Sequence, residues 1–99
     1  MHFHFKKKKL EELYYEEKDV HKYPTEVVDA FFHVMGVIEA AVDIREFYNL
    51  KSLHFEKLKG SRKDEHSMRL NKQYRLTMLL EKHEKGNSLL ILDIEDYHD

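Results

Sequence analysis

The side chains able to move a proton or hold a phosphate gather in a few places along this sequence. Eight histidines and no cysteine make imidazole the natural proton carrier near neutral pH, and they exclude thiol nucleophiles, zinc–thiolate sites and disulfides. His54 and Glu56 stand two residues apart, a spacing that puts both on one face of an extended segment. His98 has Asp96 and Asp99 close by, and neighbouring carboxylates favour its protonated form. Arginine and lysine supply phosphate clamps, and residues 51–75 hold 8 of them against 3 acids, a balance of +5. Arg62 and Arg75 lead that group, with Lys59, Lys63 and Arg69 as supporting charge. His2 and His4 also share a strand face at a metal-compatible spacing, but no third ligand of clear identity accompanies them, so they read as a polar face.

The remaining sequence must fold so as to present these groups. At 99 residues the chain reads as one domain, 1–99, with a single modest core and room for a shallow surface site only. The net charge of −2 hides a division: residues 1–50 have 7 basic and 10 acidic groups, and residues 88–99 have only the acids Asp93, Glu95, Asp96 and Asp99. A basic face is compatible with that total. No apolar run approaches the roughly 18 residues of a membrane span. The four lysines follow the first apolar residues, the reverse of a secretory signal, so the expectation is a cytoplasmic protein with no membrane association.

Phe3 and Phe5 alternate with His2 and His4 as in a short strand. Leu10, Leu13 and Tyr14 fall at helical spacing, predicting a helix from Lys8 to about Lys18. Pro24 opens a second helix, expected from about Thr25 to Asp43, with Val28, Phe31, Met35, Ile38 and Val42 as its stripe. Val27, Phe32, Val34 and Val37 widen that stripe, a surplus that suits either core or a docking site for a protein partner. Strands are expected at Leu53–Glu56, His66–Leu70, Tyr74–Leu80 and Leu89 to about Ile94, with turns at Leu58–Ser61, Asn71–Gln73 and Lys85–Asn87. The order β-α-α-β-β-β-β predicts an α+β domain, two helices on one curved, mainly antiparallel sheet.

Within this frame Leu58-Lys59-Gly60-Ser61-Arg62-Lys63, followed by Ser67-Met68-Arg69-Leu70-Asn71-Lys72-Gln73-Tyr74-Arg75-Leu76, resembles the central motifs of the RelE/HigB-type toxins, the killer proteins of plasmid maintenance systems. The ending Glu95-Asp96-Tyr97-His98 is similar to that family's E-D-Y-H, and Phe5-Lys6 with Leu10, Leu13 and Tyr14 is similar to its first strand and helix. Ser61 stands where an Asp is common, and Asp64-Glu65-His66 replaces a stretch that usually carries Gly and an aromatic.

The resemblance implies a RelE-like fold and a type II toxin that cleaves mRNA on the translating ribosome without metal or cofactor. It also implies a partner, a cognate helix-turn-helix antitoxin of the HigA type. Such cleavage needs a base for the 2′-hydroxyl, positive charge on the phosphorane and an acid for the leaving oxygen. His98 matches the family's terminal His and is the first candidate for proton transfer. Tyr97 could stack on a base or simply cover the sheet edge, and Asp96 could orient His98 or lie in solvent. Glu56 or His54 is the candidate base. Arg62 and Arg75, helped by Lys59, Lys63 and Arg69, are the candidate RNA contacts. The alternative is a toxin fold whose catalysis has decayed and which acts only by binding antitoxin or ribosome.

Overall fold

The N-terminal alternation forms β1 (His2–Phe5), with Phe3 and Phe5 against the core and His2 and His4 exposed. In this computed structural model, which describes residues 1–62 and 64–97, helix α1 (Lys8–Glu16) follows and buries Leu10 and Leu13. A 3-10 turn over Val20–Lys22 leads to Pro24, whose fixed φ suits the residue that caps α2 (Thr25–Ala40). Next come α3 (Arg45–Asn49), a 3-10 turn at Lys51–Leu53, the two-residue β2 (Glu56–Lys57) and a 3-10 turn at Gly60–Arg62. The strands β3 (Glu65–Arg69), β4 (Tyr74–His83) and β5 (Gly86–Asp96) complete the domain.

The five strands form one sheet in the order β1-β5-β4-β3-β2. β1 runs parallel to β5 and the other pairs are antiparallel, so the sheet is mixed and mainly antiparallel. One face supplies Met68, Leu76, Met78, Leu89, Ile91 and Ile94 to a core shared with α1 and α2. The cross-strand register puts Glu65, Ser67, Arg69, Arg75, Thr77, Asp93 and Glu95 together on the opposite face. A bulge interrupts β5 on the way: Thr77 faces Asp93 but Met78 faces Ile91, so Leu92 is an extra residue.

Three local expectations change. α2 stops at Ala40 rather than Asp43, and Val42, expected on its core stripe, is 89% exposed. The α-ammonium of Met1 donates to the carbonyls of Ile38 and Glu39 (3.2 and 3.1 Å), serving groups that the end of a helix leaves open. The Glu46 carboxylate then accepts the amides of Val42 and Asp43 (2.6 and 2.9 Å), tying the chain ahead of α3, a third helix. Finally, of the strand expected at Leu53–Glu56 only Glu56 is extended into β2, and residues 53–55 are not a strand. Leu53 and Phe55 are buried, but the backbone is a turn ending in a left-handed His54 (φ 47°). The breadth of α2 is accounted for inside the fold, since Val27, Val28, Phe31, Val34, Met35 and Ile38 are buried and Phe32 stacks with Tyr14 at 6.2 Å.

His66 lies on the core side, 7% exposed and stacked on Phe55 at 4.9 Å. Burial, with Lys57 adding like charge, pushes its pKa below the usual histidine range. The unfolded chain therefore takes the proton more readily, and the stability His66 allows at neutral pH is lost as pH falls below the ordinary imidazole value. His66→Phe should flatten the decline in unfolding free energy between about pH 7.5 and about pH 5.5, measured by urea titration. An unchanged decline would assign the acid sensitivity to other groups.

Candidate active site

Arg75 is the centre of the polar face. Its side chain is only 13% exposed, which for a guanidinium demands partners. Nε donates to Ser67 Oγ at 2.8 Å and Nη2 donates to the His54 carbonyl. The left-handed conformation of His54 belongs to the turn that brings this carbonyl to Arg75. Glu56, on β2 opposite Ser67, lies 4.0 Å from Arg75 Nη2. Tyr97 covers the guanidinium with its ring centroid 5.6 Å from Cζ.

Arg69 faces Arg75 across the β3–β4 ladder, and its Nη1 lies 3.4 Å from His54 Nε2. A guanidinium can only donate, so this contact uses the imidazole lone pair, the site that would accept a proton. Arg69 Nε also donates to the Asn71 carbonyl at 3.3 Å, while Asn71 Oδ1 accepts the amides of Gln73 and Tyr74 and holds the turn between the strands. Arg69, Asn71, Lys72, Arg75 and Tyr97 line a small polar recess of about 160 Å³. It is a shallow surface site, suited to a phosphate and its flanking groups rather than to an enclosed small molecule.

The structure thus brings together five of the predicted residues, His54, Glu56, Arg69, Arg75 and Tyr97. His54 and Glu56 meet Arg75 from a turn and a short strand, not from one strand face as the spacing suggested. Asp96 faces Tyr74 on the other side of β5 and accepts the Gln73 amide at 3.1 Å. His98 and Lys63 lie outside the described residues. Lys59 is exposed on the segment after β2 and does not line the recess. Arg62 is held apart from Arg75 by two carboxylates: Glu95 accepts from Nη1 and Nη2 (2.9 and 2.7 Å), and Glu65 from Nη2 and Nε (2.7 and 3.1 Å). These bonds raise the guanidinium pKa and hold the Glu95 carboxyl below the usual range.

Ser67, Asn71 and Lys72 were not singled out as site residues. For Ser67 and Asn71 the signal was the spacing around Arg69, since they stand two positions before and after it; Lys72 follows Asn71 in the same turn. At the far end of the same face His4 pairs with Glu81 at 2.8 Å, and among the described residues no set of three His, Asp or Glu side chains is arranged to hold a metal.

Residues 3–98 match the family model described as the RelE-like toxin of the type II toxin–antitoxin system HigB. Toxin HigB-1 of Vibrio cholerae serotype O1 is 34% identical over 76 residues, covering 77% of this chain and 80% of that toxin. A YoeB/ParE toxin from Agrobacterium tumefaciens shares the fold, with a TM-score of 0.58 at 14% identity over 99% of this chain and 100% of that one. The chain belongs to the HigB-like toxins, the RelE-like toxin family of type II toxin–antitoxin systems.

Proposed function

We propose that this toxin cuts messenger RNA on the translating ribosome in the cytoplasm, and that a helix-turn-helix antitoxin of the HigA type restrains it. Family membership implies the antitoxin partner in general; its helix-turn-helix form, the RNA and the ribosome are our reading. The observation that carries it is the nearly buried Arg75, fixed by Ser67 and the His54 carbonyl beside Arg69 and Tyr97. A guanidinium held rigidly at a surface recess suits an anion that gains charge during reaction, because its donors need no reorganisation. Arg75 Nη1, which makes no hydrogen bond among the described residues, is the edge left for a phosphate oxygen.

In the proposed reaction Glu56, or His54 once Arg69 turns from its lone pair to the phosphate, takes the proton of an RNA 2′-hydroxyl, whose oxygen attacks the adjacent phosphorus. Arg75 and Arg69 neutralise the phosphorane, Tyr97 supports a flanking base, and His98 protonates the departing 5′-oxygen. The products are a 2′,3′-cyclic phosphate and a 5′-hydroxyl, and no metal or cofactor takes part.

The test is induction of the chain in growing cells, with and without its neighbouring antitoxin, while mRNA ends are mapped. The expected result is arrest with new ends inside translated messages, relieved by the antitoxin. His98→Ala should reduce cutting by about 10²–10⁴-fold, the usual share of one acid–base group. RNA carrying hydrogen in place of the 2′-hydroxyl at the cut should stay intact. Arrest that persists undiminished in His98→Ala without new ends would instead mean a toxin that acts by binding alone.

A further inference from the structure

A second recess lies on the same open face, one strand over from Arg75. Its volume is about 330 Å³, its walls are Lys7, Arg62, Glu65, Asp93 and Glu95, and Leu90 is part of its lining. Glu95 is the register partner of Arg75, so the two recesses adjoin. Glu65 on β3 and Glu95 on β5 flank β4, and Arg62, bonded to both, therefore spans that strand across the open face. Lys7 Nζ meets Asp93 Oδ2 at 2.6 Å in the same recess.

Every nitrogen of the Arg62 guanidinium is engaged by a carboxylate, and its Nη1–Nη2 edge meets both oxygens of Glu95 in the fork that also fits a phosphate. Glu65 adds a second carboxylate to the same cation. One guanidinium needs only one such partner for charge balance. With Lys6 and Lys7 the recess sets three cations against three carboxylates, so its positive charge is already answered on the face the proposed RNA must approach. Arg62 remains 38% exposed, within reach of an incoming anion.

We propose that Arg62 and Lys7 form a second phosphate subsite beside Arg75, and that the carboxylates of Glu95, Glu65 and Asp93 stand in the phosphate's place until a polyanion displaces them. The ligand class, an RNA phosphodiester adjoining the one at Arg75, rests on the proposed action on RNA; the self-occupied subsite rests on the ion pairs alone. Displacement breaks the Arg62–Glu95 pair and forms a guanidinium–phosphate pair, with no proton moved. The carboxylates then act as a threshold, so that only a ligand offering several phosphates at once engages the face.

The experiment measures binding by fluorescence anisotropy across a range of salt, using two probes: an uncleavable 2′-deoxy-substituted oligoribonucleotide and inorganic polyphosphate. Glu95→Gln should bind both about tenfold more tightly, with log affinity falling more steeply with log salt by about 0.7 for the one phosphate gained. The gain should vanish in Arg62→Leu/Glu95→Gln, which leaves Arg75 untouched. Glu65→Gln, with the Glu95 fork intact, should show a smaller gain and gives a second readout if Glu95→Gln proves poorly folded. Equal binding of both probes by parent and both Gln variants would overturn the subsite. Gains with polyphosphate but no binding of the oligonucleotide by any variant would leave the subsite standing and overturn the RNA reading instead.

Discussion

Arg75→Ala is expected to slow cleavage of a translated message by about 10²–10³-fold, the usual cost of removing a preorganised donor from a developing oxyanion. Arg75→Lys should recover little of that loss. Lysine carries the charge, but it cannot hold Ser67 Oγ and the His54 carbonyl at once and still present an edge to phosphate. Single-turnover cleavage on programmed ribosomes gives the rate, and a thermal melt separates it from folding. The buried arginine leaves two acceptors without their donor, so Arg75→Ala should also cost about 1–3 kcal/mol of stability. A Lys variant with parental activity would mean that only charge is needed at this position, and the fixed geometry would lose its role.

Phe31→Ala should affect stability as strongly as Arg75→Ala affects rate. Phe31 is fully buried in α2 and meets Phe32 and Tyr14 edge-on at 5.4 and 6.3 Å. Emptying such a site removes about 3–5 kcal/mol, against a total of about 5–15 kcal/mol for a domain of this kind. The melting temperature should fall on the order of 20 °C. Phe31→Leu, which keeps most of the volume, should lose much less. If both substitutions cost the same, the aromatic contacts rather than the filled volume would be what α2 requires.

Much of this architecture was legible because it depends on short periods. The alternation at Phe3 and Phe5, the helical stripe from Val27 to Ile38 and the turns at Asn71 and Gly86 all express local chemistry. What could not be read depends on distant partners. The end of α2 involves the Met1 ammonium, 37 residues from Ile38, and α3 is too short to show a period. Leu53 and Phe55 alternate in burial as a strand would, yet a turn with one left-handed residue gives the same pattern.

The candidate site divides in the same way. Arg69, Arg75 and Tyr97 were marked by residue type and motif, and the ladder explains why they meet, since Arg69 opposes Arg75 and Glu95 opposes Arg75 from the other side. Arg62 looked equivalent to Arg75 in sequence. Its commitment to Glu95 spans 33 residues and is visible only once β5 is in register. Positive charge in a sequence shows where phosphate could be held, but the partners already holding that charge are set by the fold.

The extra residue in β5 gives this toxin an unusual relation to changes in its reading frame length. Leu89 and Ile91 point into the core before the bulge and Ile94 after it, so odd positions hold the interior on one side and even positions on the other. Losing the single codon for Leu92 would remove the bulge and restore strict alternation, with Ile94 still inward and Asp93 and Glu95 still outward. Point substitutions along this strand change one side chain at a time. The bulge therefore marks a place where β5 can shorten by one residue without exchanging its polar face for core.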